Sequence, residues 1–84
     1  MNRKHRKTLE HIYSRPVRAN IKWTDIESLF IALGGEITER QGSRVAVILF
    51  DEVHMFQRPH PSPETDKGAV VSFRKWLEIH GVRP

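Results

Sequence analysis

Cysteine is absent from the chain, which removes disulfide staples, thiol catalysis and cysteine-ligated metal from consideration. No apolar run approaches the roughly 18 residues that cross a bilayer. No apolar stretch follows the basic N-terminus, as a secretion signal would require. The five histidines show no metal-ligand spacing. Repeats and low-complexity segments are missing as well. The lack of cysteine agrees with a reducing cytosol without proving it, and no membrane contact, no metal and no small-molecule cofactor are expected. Acidic residues are scarce at one end. Residues 1–22 hold seven Lys and Arg against the single acid Glu10, whereas residues 23–84 hold seven basic and nine acidic groups. A cationic arm on a near-neutral body suits contact with phosphates, and it equally suits a solubilising terminus.

What is present is enough for one domain. A chain of 84 residues builds one core against one face of one small sheet. Leu9, Ile12 and Tyr13 fall at helical spacing within 3–14, and Ser14-Arg15-Pro16 ends that helix. Residues 15–22 read as a linker, which divides the chain into a basic N-terminal segment, 1–22, and a main domain, 23–84. Thr24-Asp25-Ile26-Glu27 reads as a capping box. Ile26, Leu29, Phe30 and Leu33 then form one apolar stripe, and Gly34-Gly35 stops the helix. Residues 36–40 are expected as a first strand, and 44–50 with 53–58 as a hairpin turning at Asp51-Glu52. The proline-rich stretch 59–66 excludes helix interior and central strand. A last helix runs from Lys67 or Gly68 to His80, with Val70, Phe73 and Leu77 on one face. The order α-α-β-β-β-α predicts an α+β fold, a three-stranded antiparallel sheet with helices on one face. This is the layout of double-stranded-RNA-binding-like domains.

The hairpin carries apolar side chains on both faces. Ala46, Ile48, Phe50, Val53, Met55 and Gln57 make one set, and Val45, Val47, Leu49, His54, Phe56 and Arg58 the other. His54 and Arg58 mark the second set as outward. Val45, Val47, Leu49 and Phe56 would then form an exposed patch of the kind that meets a partner. The alternative is that the N-terminal helix closes over that face.

The stretch from Trp23 to Val82 resembles the HicA toxins of bacterial toxin–antitoxin modules. The features that carry the resemblance are the helix WTDIESLFIALGG, the Gly42-Ser43 pair opening the hairpin, and Arg58-Pro59-His60-Pro61 followed by Lys67-Gly68 and the last helix. It implies an endoribonuclease cleaving mRNA in the cytoplasm, held inactive by a HicB-like antitoxin. That antitoxin would cover Val45, Val47, Leu49 and Phe56. One departure matters: the family's histidine just after Gly-Ser is replaced here by Arg44-Val45, neither of which is a general base. Either the base has moved, or the chain binds RNA or antitoxin without cleaving.

Metal-free RNA cleavage needs a base for the 2′-hydroxyl, donors for the charged transition state and an acid for the leaving oxygen. Arg44 suits phosphate gripping. His60, where the family also tends to have a histidine, is the first alternative base, and His54 the second. A loop or interface role is the competing reading of each. Ser43, Arg40, Arg58, Lys67 and Arg74 are candidates for an RNA path, with ordinary surface charge as the alternative. His5 and His11 are expected in solvent, and His80 at the end of the last helix. Trp23 and Trp76 suit core packing better than base stacking.

Overall fold

The computed structural model describes all 84 residues. Helix α1 spans Arg3–Ile12 and α2 Trp23–Ala32. Strands β1, β2 and β3 span Glu36–Glu39, Arg44–Leu49 and Glu52–Gln57, and α3 spans Lys67–Ile79. The strands form one antiparallel sheet in the order β1-β2-β3, and the helices cover one of its faces. The fold is the α+β arrangement that the order of elements predicts.

The stripe of α2 buries Ile26, Leu29 and Phe30 in a core shared with Val70, Phe73 and Leu77 of α3. Two adjacent glycines end α2 for different reasons. Gly34 takes a left-handed backbone, φ +95°, which a side chain resists. Gly35 has no room: a Cβ there would lie 2.9 Å from the Phe30 carbonyl oxygen and 3.0 Å from that of Ile48. The start of α2 differs from the expected capping box. The helix begins at Trp23, and no side chain caps it. The Trp23 amide instead donates to the Pro63 carbonyl at 2.9 Å. Glu27 turns sideways to accept from the Trp23 indole at 2.7 Å and from Arg58 at 2.9 Å.

The hairpin turns at Phe50-Asp51, one residue earlier than the sequence suggests, with φ of 56° and 59°. Two successive positive φ values define the turn whose twist matches paired strands. Leu49 therefore pairs with Glu52, Val47 with His54, Val45 with Phe56 and Arg44 with Gln57. The membership of the two faces is nearly as expected. Ala46, expected inside, is buried, and Phe50 packs against the core, but for the other hairpin residues inside and outside are exchanged. Val45, Val47 and Leu49 are buried in the core. Phe56 packs on Phe73, ring centroids 4.4 Å apart. Val53 and Met55, expected inside, are 58% and 43% exposed. The physical reason lies in the two polar residues that marked the wrong face. His54 lies flat on Trp76, centroids 3.9 Å apart, and Arg58 is neutralised by Glu27 and Glu39. Both side chains border the core instead of seeking water.

Segment 1–22 is not a separate arm. Leu9 and Ile12 belong to the same core cluster as α2, β2 and α3. The Tyr13 hydroxyl donates to the Val82 carbonyl. His5 lies 2.8 Å from the Ser28 hydroxyl, and burial lowers the His11 pKa ahead of the repulsion from Arg18 and Lys7. Arg3, Lys4, Arg6 and Lys7 remain exposed on the outer side of α1.

Candidate functional site

A cavity of about 390 Å³ opens where the sheet meets the first turn of α3. It is built from three segments far apart in sequence. Ser43 precedes β2, Gln57 to His60 leave β3, and Thr65, Asp66 and Ala69 lead into α3. Backbone bonds hold these segments together. The Arg58 amide donates to the Ser43 carbonyl at 2.7 Å, and the Thr65 amide to the Ile21 carbonyl at 2.7 Å. The proline-rich loop is thus tied at both ends, and His60 rides on it, with a cis bond to Pro61. Proline restricts the backbone on either side, so a loop without regular structure still presents a fixed course.

Asp66 caps α3, accepting from the Ala69 amide at 3.3 Å. Its carboxylate lies over Gly68, where a Cβ would stand 2.9 Å from Oδ2. Glycine at this position therefore makes room for the cap. Thr65 is only 2% exposed, and its hydroxyl has no hydrogen-bond partner. His60 is exposed, and its imidazole makes no hydrogen bond within the chain. Arg58 lines the cavity, but its two terminal nitrogens donate to Glu39 and Glu27. These bonds, first to Glu39 and then to Glu27, raise its pKa.

The residues expected from sequence divide clearly. Ser43, Arg58 and His60 line the cavity together. Arg44 stands at its edge, on the open face, paired with Gln57. Arg40 is in the same row, its amide donating to the Arg44 carbonyl at 2.8 Å. Lys67 is exposed at the first position of α3. Arg74 does not join them: it is 8% exposed, and its Nε and Nη1 have no hydrogen-bond partner. His54 is also elsewhere, three residues up β3 from Gln57, or about 10 Å along a strand. There it lies on the helix-covered face with its Nε2 3.5 Å from Glu52. Val45, Val47, Leu49 and Phe56 lie beneath the helices and offer no surface patch. The open face instead presents Val53, Met55 and the partly exposed Ile48.

A second polar cluster sits at the opposite end of the hairpin. Glu52 accepts from the Trp76 indole at 2.7 Å and lies 3.2 Å from His80. The indole bond first, and His80 after it, hold the Glu52 carboxyl below the usual range against a desolvation effect of opposite sign. His80 stacks on Phe50 at 4.0 Å, so its place is structural, as expected for a residue closing α3.

Sequence reasoning missed Gln57, Thr65 and Asp66. An aspartate three residues before Ala69 at the start of a helix is a capping signal, and it was available. The burial of the Thr65 hydroxyl had no sequence signature. Comparisons of the chain with protein-family models, with curated proteins and with solved structures return no match.

Proposed function

We propose that the chain is the toxin of a bacterial type II toxin–antitoxin module, a HicA-like endoribonuclease that cleaves mRNA without metal and is neutralised by a HicB-like antitoxin. One observation carries the reading: Ser43 and His60, which come from the two motifs that carry the resemblance, line a single cavity. His60 takes the proton from the 2′-hydroxyl, whose oxygen attacks the adjacent phosphorus and displaces the 5′-oxygen, which takes a proton from water or from the imidazolium so formed. Arg44, with Arg40 beside it, holds the phosphate outside the cavity mouth through its planar fork. Ser43 bonds a phosphate oxygen, and Lys67 extends the cationic path. The antitoxin lies on the open sheet face, over Val53 and Met55, and hides Arg44. Exposed apolar side chains on a sheet of this size suit a protein partner.

Expression of the chain without its partner tests the proposal. Growth arrest with RNA degradation is expected, and His60→Ala should lower cleavage by about 10²- to 10⁴-fold while leaving the fold intact. Arrest that persists in His60→Ala but disappears in Arg44→Ala would remove His60 from the base role. The unoriented imidazole of His60 favours a second reading, an RNA-binding or antitoxin-binding module of the same fold that does not cleave. RNA that is bound but never cut by the purified chain would select it.

A further inference from the structure

Arg3, Lys4, Arg6 and Lys7 of α1 are exposed, and so are all three cations of the linker that follows. Only Lys4 reaches a carboxylate, that of Asp25 at 3.7 Å. The four on α1 stand where a helix tolerates them least. Positive charge opposes the dipole at a helix N-terminus. Arg3 repels Lys7 at i, i+4, and Lys4 repels Lys7 at i, i+3. The first turn holds no acid to relieve them. Each of these interactions weakens α1 by itself, and an anion lying along its outer face reverses the sign of each. The cations are also held in place. Leu9 and Ile12 anchor the helix in the core, and Tyr13 ties its end to Val82. After burial, the charges of Arg18 and Lys7 both lower the His11 pKa, so the helix and the linker share one positive field. That field extends to the candidate site. The Ile21 carbonyl accepts from the Thr65 amide, and Lys22 forms a β-bridge with Glu64. The linker therefore ends against the loop that carries His60.

We infer that the outer face of α1 and the linker form a second contact surface for single-stranded RNA, gripping its phosphates without reading its bases. The inference rests on the RNA-directed reading of the cavity and adds where the strand goes beyond it. Arg3, Arg6 and Lys7 hold the backbone along α1, and Arg15 and Arg18 hold it along the linker. Base stacking has no platform here, because Tyr13, the one aromatic of the segment, is half-buried and engaged with Val82. A bilayer fits poorly, since the apolar side of α1 is spent on the protein's own core and leaves nothing to insert.

The experiment titrates the full chain with 2′-O-methylated poly(U) and poly(A), which lack the hydroxyl needed for cutting, over a range of salt concentrations. Both should bind. Replacing Arg3, Arg6 and Lys7 together by Gln should make the slope of log affinity against log salt shallower by about 2, at roughly 0.7 per contact on a single strand. Affinity should fall about tenfold or more at about 0.1 M salt, equally for the two polymers. The melting temperature should stay or rise, because repulsion within α1 is removed. Arg15→Gln with Arg18→Gln, off the helix, should reduce the slope by about 1.4. An unchanged slope in both variants overturns the surface, as does a loss seen with one polymer and not the other. Vesicles of phosphatidylglycerol that lose affinity for the variants while RNA keeps it would make this a membrane contact and overturn it too. If neither polymer binds the unaltered chain, this inference and the RNA-directed reading fall together. If the variants weaken binding but unmethylated RNA is never cut, only the cleavage reading fails. If unmethylated RNA is cut with the same KM in both variants, cleavage stands and the surface is wrong.

Discussion

Arg74 shows how far a single side chain departs from its usual role when its surroundings are fixed by a helix. Its neighbours in sequence, Phe73, Trp76 and Leu77, are all buried, and the helix carries its stem inward with them. Its Nε stops 3.8 Å from Glu78, beyond hydrogen-bond length. A guanidinium held in this way loses hydration without gaining full partners, and an apolar group of similar length avoids that penalty. Arg74→Met should therefore leave stability unchanged or raise it by about 1 kcal/mol, a rise in melting temperature of roughly 4–8 °C for a domain of this size. RNA binding should not change. A clear loss of stability in thermal melts would mean that the guanidinium makes a stabilising contact after all. Arg58 is the complementary case. Its charge is matched by two carboxylates from two elements, Glu27 and Glu39, so it joins α2, β1 and β3 more than it serves an anion. Neither residue's surroundings were visible in composition, because each depends on partners placed by tertiary contact.

At the scale of elements, the hairpin is the instructive one. Phe50 and Asp51 are both left-handed, a conformation that aspartate tolerates and phenylalanine resists. Phe50 is held by its ring, which meets Trp76 edge-on at 5.9 Å and stacks on His80. Asp51 is exposed and has no such tether. Asp51→Gly should then stabilise the hairpin by about 0.5–1 kcal/mol, since glycine adopts a positive φ freely. Urea unfolding checks this, and a lower midpoint would show that the Asp51 side chain contributes to the turn. The same turn explains what the sequence made legible. Period and punctuation located all three strands and all three helices, because apolar stripes and glycine stops are local signals. The turn was missed by one residue, since nothing local marks Phe50 as a turn residue. Which face lies inside was misread, because polar side chains were counted as outward although Trp76, Glu27 and Glu39 receive them. Of the site, Ser43 and His60 were legible through their motifs. Thr65, Asp66 and Gln57 were not, because a cavity is made by three segments meeting.

For the molecule as a whole, one core runs through everything: Leu9 and Ile12 of α1 share it with the sheet and both later helices. Acid should loosen this unit in two stages, each tied to a named group. Burial lowers the His11 pKa, so the folded chain holds His11 with fewer protons than the unfolded chain does. That contribution is complete above about 6.5 and is lost as pH falls through the lowered folded value. Glu52 acts further down. Its folded pKa is held below the ordinary carboxylate value by the Trp76 indole and His80. Its contribution is complete above about 4.5 and fades as pH drops through the folded value. Both effects have the same sign, so stability should decline continuously from near neutrality into acid. Urea midpoints measured from about pH 7.5 to 3.5 follow the decline. His11→Gln should flatten the upper part, and Glu52→Gln the lower, each leaving the other part in place. These two residues sit on α1 and β3, in different parts of the fold. If either variant removes the whole pH dependence, the two groups do not titrate independently, and α1 and the hairpin respond to acid as one linked system.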